Sequence, residues 1–101
     1  MKVAVYYRND DVRIEDHPEP VLSKGEILVK MMASGICGTD VMQWYRIKKA
    51  PRILGHEMSG EVVKVGEGVE KFKQGDRVFV SHHVPCFHCH RCTQGHYTAC
   101  E

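Results

Sequence analysis

No run in these 101 residues is apolar for long enough to cross a bilayer, and Met1 to Tyr7 is too short for the apolar segment of a secretion signal. A membrane role is therefore not expected. Charge of one sign is missing too: fourteen Lys and Arg against thirteen Asp and Glu leave +1. Thiolates and bound divalent ions would largely cancel, so metal loading keeps the chain near neutral, with no polycationic field to hold nucleic acid. There are no repeats, no low-complexity tracts and no sustained helical period. Also absent is a Gly-x-Gly-x-x-Gly turn: Gly66-Glu67-Gly68 comes nearest, but Lys71 occupies the third glycine position and no βαβ pattern follows. What remains is one small domain, expected to bury roughly 60 to 65% of its unfolded surface, a size at which a metal staple is useful.

Cysteine, by contrast, is plentiful. Cys86, Cys89, Cys92 and Cys100 are separated by two, two and seven residues. Two-residue gaps let a tight turn bring successive sulfurs onto one ion about 2.3 Å away, so the spacing predicts a closed four-thiolate zinc site in a lobe spanning 81–101. Disulfides fit less well, because neighbouring pairs would close strained small loops and Cys37 would leave an odd count. A tetrahedral sulfur cage could also hold iron, as in a rubredoxin-like electron carrier. His88, His90 and His96 lie among the cysteines and are read as solvated loop positions, since a closed site has no room for a fifth ligand. His82 and His83, just before the lobe, are either solvated or line a cleft. A free thiol beside a thiolate cluster suits the reducing cytoplasm.

The rest reads as mostly β. Lys2 to Tyr7 and Val12 to Asp16 are two expected strands joined through Asn9-Asp10, and Pro18 and Pro20 make an irregular link to a third, Ile27 to Ser34. Ile27, Val29, Met31 and Ala33 share one face of it, so the methionines are assigned to the core. Gly35 and Gly38 bracket a sharp turn at Cys37. Thr39-Asp40 is expected to cap a short helix towards Tyr45, and Trp44 and Tyr45 either pack or line a pocket. Arg46 to Arg52 reads as a solvated basic flap. Met58 to Val65 and Arg77 to Val80 are further expected strands, the latter entered through Gly75-Asp76.

Cys37, His56 and Glu57 form a second constellation, the donor types of an open zinc site whose remaining position is left to water or substrate. Spacing alone leaves alternatives open. Cys37 could be an ordinary buried thiol or a nucleophile activated by the helix start after it, and His56 a satisfied core histidine.

Gly55-His56-Glu57-Met58-Ser59-Gly60, followed after five residues by Gly66 and then Val69, resembles the signature of the zinc-containing alcohol dehydrogenases of the medium-chain dehydrogenase/reductase superfamily. Gly35-Ile36-Cys37-Gly38-Thr39-Asp40 resembles that family's catalytic cysteine turn, in wording nearest to the sorbitol and threonine dehydrogenases. Gly75-Asp76-Arg77-Val78 resembles its hairpin, and the four-cysteine lobe its structural zinc site. The likeness runs from about Gly25 to the last residue.

The resemblance implies a GroES-like, partly open β-barrel, with residues 1–101 forming the N-terminal part of the catalytic domain. It implies that Cys37 and His56 ligate a catalytic zinc, with Glu57 as third ligand or displaceable neighbour. Thr39 would take the substrate's hydroxyl proton, Asp40 would hold His56 in its binding tautomer, Gly38 would let the backbone pass close to the metal, and Gly66 and Gly68 would be turn glycines. Many relatives place a relay histidine where this chain has Met42. The implied activity is NAD- or NADP-dependent oxidation of a secondary alcohol or polyol to a ketone, in a homo-oligomeric full-length protein. The nucleotide-binding domain would lie outside these residues, so the chain alone is expected to be inactive. The competing expectation is a zinc-stabilised binding module with no redox chemistry.

Overall fold

The computed structural model describes all of residues 1–101. Six strands form two three-stranded antiparallel sheets. The first has the order β2-β1-β4, from β1 (Lys2–Arg8), β2 (Asp11–Asp16) and β4 (Arg52–Ile53); the second has the order β3-β5-β6, from β3 (Ile27–Ser34), β5 (Met58–Val65) and β6 (Arg77–Val80). Helix is confined to α1 (Gln43–Arg46) and α2 (His90–Thr93), with 3-10 turns at Gly38–Val41, Ile47–Lys49 and Tyr97–Ala99. The mostly β expectation and five expected strands are therefore found, and the sheets do not close into a barrel.

Local chemistry accounts for the hairpins. Asn9 accepts a hydrogen bond from the Tyr6 hydroxyl at 2.8 Å, tying the β1–β2 turn to a residue only 1% exposed. At the entry to β6, the Asp76 carboxylate accepts from the Lys73 N–H at 2.9 Å, the Asp76 N–H closes the turn on the Lys73 carbonyl at 3.1 Å, and the Gly75 N–H donates across to the Val62 carbonyl of β5 at 2.9 Å. Between β3 and β5 the register slips twice, at Leu28/Val29 and at Met31/Ala33.

That second slip overturns one expectation. Met31 and Met32 are both exposed, and only Ile27, Leu28 and Val29 of β3 are half-buried. Alternation had assigned the methionines to a core, but nothing packs on that part of the strand. The core is small throughout. Val5, Tyr6, Val62 and Cys92 are its buried apolar side chains. The accessible surface is 7981 Å², against about 5,800 Å² for a compact monomer of this mass. The chain thus buries only about half of its unfolded surface, less than its length alone suggested.

Candidate metal centres

The C-terminal lobe is organised around sulfur. Cys86 and Cys89 flank a turn in which Phe87 takes a positive φ of 62°, and the Cys89 N–H points back at Cys86 Sγ at 3.3 Å. Cys89 then caps α2, which carries the buried Cys92. Gly95 ends that helix in the left-handed region at φ 81°, and the 3-10 turn at Tyr97–Ala99 returns Cys100, whose Sγ accepts from the Cys86 N–H at 3.3 Å.

All four sulfurs lie within 4.8 Å of one another, and no disulfide joins them. The Cys86 and Cys92 sulfurs are 3.9 Å apart, close to the ~3.8 Å edge of a tetrahedron with 2.3 Å metal–sulfur bonds. Donor chemistry and spacing therefore fit one zinc ion. Without metal the cluster is electrostatically uneven: backbone N–H donors of Glu101 and Cys92 bring the Cys89 thiol down to about 6, whereas burial pushes Cys92 up to about 12. His88, His90 and His96 are all exposed, as expected.

Sheet pairing builds the second cluster. β3 and β5 pair as far as Ser34 opposite Met58, and the Gly35 N–H continues the ladder to the Glu57 carbonyl at 2.7 Å. This sets the residues after β3 beside those before β5. Donor atoms of Cys37, His56 and Glu57 consequently lie within 4.8 Å of one another. The absence of a side chain at Gly35 leaves room for the Glu57 carboxylate, whose Oε2 a Cβ there would meet at 2.6 Å. A Cβ on Gly38 would meet no protein atom within 4 Å, so no protein neighbour demands glycine there.

The turn after Cys37 also differs from expectation. Cys37, not Thr39, caps it: the Asp40 N–H donates to the Cys37 carbonyl at 2.9 Å, while the Cys37 N–H donates to Asp40 Oδ2 at 3.0 Å. Asp40 Oδ1 faces His56 Nδ1 at 3.5 Å, an ion-pair distance rather than a close hydrogen bond. Donation from the Thr39 hydroxyl and backbone N–H, and then from His56, lowers the Cys37 thiol below its ordinary range.

Two participants escaped the sequence reading. Arg46, expected in a solvated flap, is buried. Its guanidinium donates to Asp40 Oδ1 at 2.8 Å, Thr39 Oγ1 at 3.0 Å and the Thr39 carbonyl at 2.9 Å. No pattern in the basic run Arg46 to Arg52 marks the one member that α1 turns inward. His82 stands 4.9 Å from His56, ring centroid to centroid, in an edge-to-face arrangement, which resolves its ambiguity in favour of the cleft. A cleft of about 790 Å³ joins Cys37, Thr39, His56 and Glu57 to Trp44 and Tyr45, the aromatic pair left undecided by sequence.

Two open antiparallel sheets, one all-thiolate cluster and one mixed sulfur, nitrogen and oxygen cluster on a cleft define a β-domain with two candidate metal sites. Residues 23–101 match the alcohol dehydrogenase GroES-like domain model, and the chain belongs to that family. It is 42% identical to sorbitol dehydrogenase of Bacillus subtilis strain 168, with 99% of the chain and 30% of that protein covered. It is 41% identical to L-threonine 3-dehydrogenase of Pyrococcus abyssi, with 100% and 30% covered. Among solved structures it is similar to an alcohol dehydrogenase from Escherichia coli CFT073 complexed with the cofactor NADH, at a TM-score of 0.87 and 38% identity, over 99% of the chain and 30% of that one. The chain thus spans about 30% of the length of these relatives.

Proposed function

We propose that these residues supply the catalytic and structural zinc sites of an alcohol or polyol dehydrogenase that oxidises a secondary alcohol to a ketone by hydride transfer to NAD or NADP. The observation that carries this reading is the placing of Cys37, His56 and Glu57 on an open cleft, apart from the thiolate lobe. A purely structural module needs only the lobe. The names of the relatives support the reaction class, and the NADH complex supports a nicotinamide partner. That partner would bind a separate domain of the full-length protein, which we take to be a cytoplasmic homo-oligomer. No helix here is long and apolar enough to cross a membrane.

Bound at the mixed-donor site, zinc would act as a Lewis acid on the alcohol oxygen and lower its pKa. The chain's own residues have separable tasks. The Cys37 thiolate and Glu57 carboxylate supply two negative charges to balance a divalent ion. Asp40, itself fixed by Arg46 and the Cys37 N–H, lies beside His56 Nδ1 and favours a proton there, leaving the other ring nitrogen free to ligate. Thr39 Oγ1 already accepts from Arg46 and retains one further lone pair for the substrate's proton. As the Thr39 hydroxyl takes that proton it must release its own from Cys37; the Met42 thioether is only a weak acceptor and Arg46 only donates, so the released proton would pass to water entering the cleft.

Iodoacetamide labelling of Cys37, followed by peptide mass spectrometry, tests the reading. Zinc should protect this thiol and chelation should expose it; equal rates in both states would refute ligation and favour the non-redox binding module.

A further inference from the structure

The charges facing the cleft do not balance. Asp40 neutralises Arg46 at 2.8 Å. Glu57 is the one carboxylate residue among those lining the cleft, and together with the Cys37 thiolate it is committed to the donor set. Lys49 and Arg52 line the same cleft, are exposed, and pair with no carboxylate of these residues. The ammonium of Lys49 lies 5.4 Å from the Tyr45 ring centroid, a contact that leaves its charge uncompensated.

Two unpaired cations lining one cleft, with no free carboxylate to offset either, focus a positive potential into it. A neutral polyol leaves that potential uncompensated. An anion compensates it, and a guanidinium fork can pair with two oxygens of a carboxylate or phosphate. We propose that the alcohol admitted to this cleft carries an anionic terminus, a carboxylate or phosphate remote from the reacting hydroxyl, that is held by Lys49 and Arg52. This rests on the dehydrogenase reading and narrows its substrate class. The reacting carbon would lie at the metal donors and the anion at Lys49 and Arg52, in a cleft that Trp44 and Tyr45 also line.

Trp44 is the chain's single tryptophan and lines this cleft, so its fluorescence reports on occupancy. The zinc-loaded chain would be titrated with glucitol, gluconate and glucitol 6-phosphate at low and high salt, with zinc content measured in parallel. The two anions should bind about tenfold or more tightly than glucitol, and salt should erode that margin because both cations are exposed. The tighter anion identifies the terminus. Lys49→Gln with Arg52→Gln should abolish the margin, while Lys24→Gln, a charge removed away from the cleft, should leave it intact. Equal binding of all three ligands, no response to any of them, or a margin that survives the double substitution would overturn the proposal. A chain that holds zinc but shows no anion preference leaves the dehydrogenase reading standing. A preference in a chain whose Cys37, His56 and Glu57 hold no metal removes that reading and keeps the anion site.

Discussion

Arg46 shows how much of the site rests on one side chain outside the donor set. Three donated hydrogen bonds tie its guanidinium to Thr39 and Asp40, and the ion-paired side chains of Arg46 and Asp40 are only 10% and 12% exposed. Removing it leaves a sequestered carboxylate without its partner. Arg46→Ala should therefore cost about 2 to 4 kcal/mol of stability, read as a lowered denaturant midpoint. Arg46→Lys should recover only part, because an ammonium cannot span both acceptors. An unchanged midpoint in Arg46→Ala would show that the pair is solvated. Sequence could not have ranked this arginine above its basic neighbours. Cys37, His56 and Glu57 were legible as a candidate donor set by residue type, and Asp40 only through the resemblance of its turn to the family's, whereas an inward turn of one helical residue leaves no compositional trace.

The paired strands β3 and β5 act as the jig that brings the mixed donor set together. Gly35→Ala probes this without replacing a donor residue: the added Cβ would displace the carboxylate end of Glu57, met at 2.6 Å, rather than the backbone ladder. Metal affinity at Cys37 should fall while the unfolding midpoint hardly moves, measured by competitive chelation alongside thermal unfolding. A matching loss of both would place the damage in the strands instead. These strands were readable from alternation and from their bounding glycines. The register slips were not, since they arise from pairing between segments about thirty residues apart, and with them went the expected burial of Met31 and Met32. The thiolate lobe makes its own prediction. With Cys92 pushed up to about 12 it is protonated at neutral pH, whereas Cys89, at about 6, is mostly ionised. Zinc binding at pH 7 must therefore expel the Cys92 proton, and acidification must favour metal release. Titration calorimetry in buffers of differing ionisation enthalpy should show net proton release; heats independent of buffer would contradict it.

Taken whole, the chain is a plate of 43 × 36 × 20 Å with a radius of gyration of 15.8 Å, where a compact domain of this length has about 13 Å. Val21, Ile36, Phe79 and Val84 are each more than 80% exposed, and β6 presents an unpaired edge ending near Phe79. Surface of this kind is sticky. The chain should self-associate with rising concentration in sedimentation velocity, and Phe79→Lys should suppress this by charging the edge; a monomer at every concentration would show the open face to be harmless. Sequence length predicted a better-buried domain, because an average scaling law assumes a closed core that these two sheets do not make.

Whether the molecule carries two chemically different metal sites is decided by metal stoichiometry in native mass spectrometry, compared across the parent chain, His56→Ala and Cys92→Ser. The geometry predicts two zinc ions in the parent, one in each donor set, with His56→Ala losing the mixed-donor ion alone and Cys92→Ser losing the lobe's ion. A parent chain that holds one zinc, unaffected by His56→Ala, would contradict it and leave Cys37, His56 and Glu57 as neighbours without a metal.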